Sequence, residues 1–275
     1  MEIAYYPAPG KLNLFLHVVG RRPDGYHELQ TVFRLIEAAD RVGLAVREDG
    51  KILRSGSAFE NDLCERAAQA LKNASGSAKG CEIVLEKNLP VGGGLGGGSS
   101  DAATVLLVLN RLWGLNLGRR RLIELGLQLG ADVPFFLFGQ NAFGEGIGER
   151  LRGLDLPPAW YLVLTPQVSV STKEIFSDAS LTRDTKRLKI PPFFPGQGSN
   201  DLEPVVSRRF PGVAAHLSWL RSSVPGARMT GAGACVFAEF STEAEALALR
   251  KDLPGGMRGF VAKGLQKHPL HDWAE

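Results

Sequence analysis

The chain has 275 residues, 44% hydrophobic and 22% charged, with a formal net charge of +3; these are ordinary globular values at a length that suits one large domain or two unequal ones. Its basic residues are scattered apart from Arg119, Arg120 and Arg121, a run expected on the solvated face of a helix, so no nucleic acid is expected as a partner. Three cysteines without a C-x-x-C pair, five dispersed histidines, and the lack of a signal-like leader or a membrane-length apolar run argue against a disulfide scaffold, a structural zinc site and a membrane span, and set the expectation of a cytoplasmic protein.

In chain order, residues 11–19 alternate as a strand, with Leu12, Leu14, Leu16 and Val18 on one face and Lys11, Asn13, Phe15 and His17 on the other. "RRPDGYHEL" is a turn, because Pro-Asp-Gly joins a fixed φ to a permissive residue. Strands are expected at 29–36 and 40–46, a helix at 61–75 and a strand at 81–89 that leads into "PVGGGLGGGSS". Two helices follow, at 99–113 and 118–130, then "ADVPFFLFG", the turn "EGIGERL" and a break at "LDLPPAW". Beyond it come a strand at 160–166, a polar stretch from Ser177 to Lys189, the Pro-rich "IPPFFPGQG", a helix near 213–223, a strand pair around "RMTGAGACVFAEF", a helix at 241–253 and a last strand at 258–265. Mixed elements in both halves give an α+β class, with domains expected at 1–153 and 154–275.

Six of the seven residues from Gly92 to Gly98 are glycine. Backbone amides can surround an anion only where side chains do not obstruct it and φ may be positive, and a helix that follows adds its unpaired amides and positive dipole end. A linker would not sit between a strand and an apolar helix of one domain, so a phosphate cradle is the stronger reading. The loop satisfies G-x-G-x-x-G trivially, but the acidic strand end of a dinucleotide fold is missing about twenty residues on. A P-loop needs Lys where Ser99 stands, and a protein kinase needs V-A-I-K and H-R-D, which are absent.

The stretch from Pro90 to Ser100 instead resembles the P-x-x-x-G-L-G-S-S phosphate loop of the GHMP kinases, the superfamily of galactokinase and of homoserine, mevalonate and phosphomevalonate kinases. "PGKLNLFL" and "MTGAGACVF" resemble its two other motifs, in family order, although Gly10 stands where the family more often has Ala. "DGYHEL" narrows the likeness to the branch whose acceptor is a cytidyl diphosphate sugar alcohol, in the non-mevalonate route to isoprenoid precursors.

The resemblance implies a two-domain architecture: an N-terminal half like ribosomal protein S5 domain 2, a ferredoxin-like C-terminal half, and the active site between them. It implies ATP and Mg²⁺, a small-molecule acceptor, and neither nucleic acid nor membrane. Asp132 is then the base and Lys11 its partner facing the γ-phosphate. Pro90, Gly92, Gly93, Gly94, Leu95, Gly96, Gly97, Gly98, Ser99 and Ser100 hold ATP, with Ser100 on phosphate or metal and Asn61 at the adenine. On the acceptor side, Tyr26 and Phe176 stack on cytosine, His27 bonds its edge, Asn13 contacts the reacting end, and Gly231 and Gly233 line the wall. Another GHMP kinase would share these loops but lack "DGYHEL"; an RNA-binding module would need a basic, aromatic-studded face.

Overall fold

Two long strands organise the first half. β1 (Ala4–Arg21) and β2 (His27–Arg47) pair antiparallel along nearly their whole length, joined by a turn in which Gly25 takes φ 90° and the Tyr26 amide donates to the Asp24 carboxylate at 3.1 Å. The structure is a computed structural model and describes residues 2–55, 62–189 and 196–274. The strands expected at 29–36 and 40–46 are one continuous strand, because β1 runs alongside both. β3 (Ile52–Ser55) pairs in parallel with β4 (Gly80–Glu86), which pairs with β2 over 41–47; β5 (Ala142–Gly146) pairs with β2 over 29–33 and carries β6 (Arg150–Gly153) at the edge.

Helices α1 (Leu63–Ser75), α2 (Gly97–Leu112), α3 (Arg119–Leu129) and α4 (Val133–Phe138) cover this sheet. Every residue of α2 from Ser100 to Asn110 is buried, the signature of a helix inside a core. Of the three arginines, Arg120 and Arg121 face solvent and pair with Glu124, as expected. Arg119 departs from that expectation: it turns inward and donates to the carbonyls of Leu137 (2.7 Å), Phe138 (3.2 Å) and His271 (2.5 Å).

The second half runs β7 (Trp160–Leu164), α5 (Thr172–Ser177), α6 (Glu203–Arg209), α7 (Pro211–Ser223), β8 (Arg228–Met229), β9 (Val236–Phe240), α8 (Glu243–Lys251) and β10 (Gly259–Lys263). Its antiparallel sheet has the order β10-β7-β9-β8, fourth-first-third-second, which is the ferredoxin-like arrangement. A shared apolar cluster joins the halves, with Leu12, Phe15 and Ile36 packed on the side of Tyr161, Val163 and Phe237. Both faces of β1 are buried in consequence.

Alternation along β1 does not hold as expected. Irregularities in the pairing lie at 9–11, 13–15 and 18–20, and the one at Leu14 shifts the pattern by a residue, so that Leu16 lines the same cavity as Lys11 and Asn13 while Phe15 joins Leu12 in the shared core. Bulges re-aim side chains in this way.

Residues 264–274 return to the first half. The Leu265 amide donates to Leu35 O at 2.8 Å, the Asn141 amide group donates to Leu265 O at 2.9 Å, and Leu270 and Ala274 enter the core beneath α2. His268 and His271 serve this tail: the Leu270 amide donates to His268 Nδ1 at 3.0 Å, and burial drives the His268 pKa down to about 3. Leu270→Ala should therefore cost about 2–5 kcal/mol of stability, as for a core leucine, read from the denaturant midpoint; a loss under about 0.5 kcal/mol, the range of surface substitutions, would show the tail to be peripheral.

Candidate active site

The glycine loop leaves β4 and bends through three left-handed residues, Gly92 (φ 69°), Gly94 (φ 77°) and Gly96 (φ 72°), conformations costing other residues roughly 1–2 kcal/mol each. Close approach adds a second demand. A Cβ on Gly94 would stand 2.3 Å from Thr230 O, and one on Gly93 would stand 2.7 Å from Cys235 Sγ. The loop is thus pressed backbone to backbone against the 230–234 turn, where the Ala234 and Cys235 amides donate to Gly92 O (3.3 Å) and Gly93 O (3.1 Å). On its other side the Lys11 amide donates to Leu95 O at 2.9 Å.

Helix α2 begins inside this loop, with Gly96 as N-cap and no side-chain cap. Its first-turn amides are left for an anion. A cavity of about 650 Å³ opens beside them, lined by the loop from Pro90 to Ser99 and by Lys11, Asn13, Asp132, Phe176 and Gly231, a volume in the usual range for small-molecule sites.

Lys11 Nζ lies 3.4 Å from Asp132 Oδ2 and donates to Asn13 Oδ1 at 2.5 Å, with the lysine side chain 4% exposed and the aspartate 35%. A buried ammonium needs such partners. The network continues as Asn13 Nδ2 donates to Thr31 Oγ1 (2.8 Å), Thr31 donates to Phe15 O (2.5 Å), and the Asn13 amide donates to Thr230 Oγ1 (3.0 Å). Asp132 precedes α4, but its carboxylate does not cap that helix.

A second charged cluster lies under the loop. Lys87 Nζ donates to Asp101 Oδ2 at 2.8 Å and to Asp40, whose other oxygen accepts from the amides of Asn88 (2.6 Å) and Leu89 (2.8 Å). One lysine cannot neutralise two buried carboxylates. Burial pushes the Asp101 carboxyl up to about 7 against the pull of Lys87 and with the help of Asp40. Burial also opposes charge on Lys87, but the two aspartates outweigh it and hold its pKa above the ordinary value.

The residues expected from sequence divide accordingly. Lys11, Asn13, Pro90, Leu95, Ser99, Asp132, Phe176, Gly231 and the loop glycines share the cavity. Ser100 is a departure from the expected placement: it is fully buried and its hydroxyl donates to Pro9 O at 2.7 Å, tying α2 to β1, and Ser99 is the serine that lines the cavity. Gly233 is another, since it does not line the cavity. Its amide donates to Thr230 O at 2.9 Å and it shapes the turn that Gly94 packs against. Tyr26 is 61% exposed and contacts no other ring among the described residues, whereas the His27 and Phe176 rings lie 5.1 Å apart. Asn61 lies outside the described residues. Sequence reasoning missed Thr31, Thr230, Lys87 and Asp101; the only local signals are a charged residue at the end of a strand and an aspartate opening an otherwise apolar helix.

Glycine cradle, buried lysine and adjacent carboxylate are the parts of a phosphoryl-transfer site, and residues 62–140 match the GHMP kinases N terminal domain and residues 194–258 the GHMP kinases C terminal domain. The chain belongs to the GHMP kinases. It is 60% identical to the 4-diphosphocytidyl-2-C-methyl-D-erythritol kinase of Nitrosospira multiformis, over 98% of this chain and 94% of that protein, and 58% identical to that of Thiobacillus denitrificans, over 98% of each. A crystal structure of 4-(cytidine 5'-diphospho)-2C-methyl-D-erythritol kinase superposes with a TM-score of 0.83 at 34% identity, covering 95% of this chain and 99% of the other. Within the superfamily the chain therefore belongs to the 4-diphosphocytidyl-2-C-methyl-D-erythritol kinase family.

The buried cluster has a measurable consequence. With its folded pKa raised to about 7, Asp101 keeps a proton that the unfolded chain has already released, so its contribution to stability falls as pH rises from about 4 to about 7. Asp101→Asn, which preserves shape and an acceptor for Lys87, should stabilise the protein more at pH 8 than at pH 5. Melting temperatures of both proteins across that range test this; a difference independent of pH would show that Asp101 is ionised throughout.

Proposed function

We propose that the protein transfers the γ-phosphoryl group of ATP to the 2-hydroxyl of 4-diphosphocytidyl-2-C-methyl-D-erythritol, giving the 2-phosphate and ADP in the non-mevalonate route to isoprenoid precursors. The observation that carries this reading is the placement of the glycine cradle, the Lys11–Asp132 pair and Phe176 along one cavity. Loop amides and the α2 N-terminus take the phosphates, and the end walled by Leu63, Cys64 and Leu85 takes the adenine. Phe176 and His27 meet the cytosine, with Tyr26 from the adjoining turn supplying its second face.

Asp132 accepts the proton of the acceptor hydroxyl as that oxygen forms its bond to the γ-phosphorus and the bond to the ADP oxygen breaks. Lys11, held by Asp132 and Asn13, stands where negative charge accumulates on the transferred group. Among the described residues no three His, Cys, Asp or Glu side chains form a metal cluster. Ser99 lines the cavity with an oxygen donor of the kind Mg²⁺ takes, which suits an ion carried on phosphates rather than caged by protein. Mg²⁺ so held would neutralise phosphate charge. A division near 153/154, with 264–274 returned to the first half, fits the two sheets. No helix among the described residues is long and apolar enough to cross a membrane, and three buried free thiols suit a reducing compartment such as the cytoplasm.

Incubated with Mg-ATP, the protein should phosphorylate the cytidyl acceptor and turn over mevalonate and homoserine poorly; equal turnover of mevalonate would sink the assignment. Asp132→Asn should remain folded and lose about 10²–10⁴ in kcat, measured at saturating substrates. A near-normal kcat would remove Asp132 from the role of base.

A further inference from the structure

The polar segment 181–189 has no regular secondary structure, yet it is laced to the β1–β2 hairpin. The Thr185 amide donates to Val18 O (3.1 Å), the Leu188 amide donates to Gln30 Oε1 (2.8 Å), and Arg187 pairs with Glu28. Near its start, Arg183 gathers four acceptors. Its Nη2 donates to Phe176 O (3.0 Å) and Asp178 O (2.7 Å), its Nη1 to Leu181 O (3.0 Å), and its Nε to His27 Nε2 (3.0 Å).

A guanidinium is always charged and only donates. The imidazole nitrogen that faces it must therefore carry a lone pair. Burial, together with Arg183 and Arg21, lowers the His27 pKa from its ordinary value, so the ring is neutral at pH 7 and its single proton sits on Nδ1. That nitrogen has no protein partner among the described residues, and the ring lies 5.1 Å from Phe176, inclined at 32°.

We propose that Arg183 is a positioning residue that fixes His27 as the Nδ1–H tautomer, and that this fixed donor selects cytosine over uracil at the nucleobase end of the cavity. The inference rests on the reading that a cytidyl group binds beside Phe176. The pairing edge of cytosine carries an amino group, the bare N3 and O2; that of uracil carries O4, a protonated N3 and O2. An Nδ1–H group bonds the bare N3 of cytosine but meets a second donor in uracil. Without Arg183 the ring exchanges tautomers and can accept from uracil. The plainer alternative is that Arg183 only ties down the carbonyls that end α5; that role would affect stability and leave base preference unchanged.

Two measurements on the full chain decide between these. Nitrogen-15 NMR of histidine-labelled parent protein should show His27 protonated at Nδ1, and Arg183→Met should show a mixture of tautomers. In competition against the cytidyl acceptor, CDP should bind the parent better than UDP. Arg183→Met should lower that preference by roughly 3- to 10-fold, the worth of one neutral hydrogen bond, through weaker CDP binding with ATP KM unchanged. If CDP fails to compete in the parent, the acceptor assignment falls and this inference with it. If CDP competes but His27 carries its proton on Nε2, or Arg183→Met keeps the parental preference, the inference alone is overturned; the parent spectrum decides even where the variant does not fold.

Discussion

The contact on which the rest depends is backbone against backbone, where the glycine loop of one half meets the 230–234 turn of the other. Thr230 O would lie 2.3 Å from any Cβ at residue 94, so the two loops touch without an intervening side chain. Hydrogen bonds from Ala234 and Cys235 to the loop carbonyls fix the register, and the Thr230 hydroxyl extends it to β1 through the Asn13 amide. The cavity, the start of α2 and the position of Lys11 all follow from that approach. Catalysis of phosphoryl transfer is chiefly positioning and charge stabilisation, so a rigid seam of this kind is a mechanistic requirement as much as a structural one.

Charge is distributed around the seam in two ways. Lys11 is almost wholly buried beside a partly exposed carboxylate, and it lies in a low-dielectric setting where its field is little screened. Lys87 is bracketed by two buried aspartates, so its charge is spent on holding β4 and α2 beneath the loop. Two lysines near one loop thus have opposite availability, decided by the number of carboxylates each one faces.

The glycine loop was legible because its chemistry is local: composition, a strand before it and an apolar helix after it suffice. Most strands and helices were legible for the same reason, as were the mixed class and the convergence of Lys11, Asn13 and Asp132 once family motifs were joined to spacing. What was not legible depends on partners distant in sequence. The bulge at Leu14 is set by pairing with β2 and moves Leu16 into the cavity, which no alternation rule foresees. Ser100 and Ser99 are alike in sequence, and only the carbonyl of Pro9 across the core shows where the Ser100 hydroxyl is directed. Arg119 belonged to an ordinary basic run until the tail came back to meet it. Arg183 lay in a polar stretch without periodicity, where sequence offers no reason to prefer one charge over the next.

The returning tail has a bearing on the order in which the chain can become a protein. Residues 264–274 leave the ribosome after the strands of both sheets, yet they carry Leu270 and Ala274 into the core under α2 and set Trp273 against Tyr6. Domains generally fold as units from the N-terminus during synthesis, but here the core of the first half is completed by residues made after the second half. A chain interrupted anywhere in its second half would lack the side chains that cover Tyr6 and close the core around α2, so the loss of late-made residues falls on the half that was translated first.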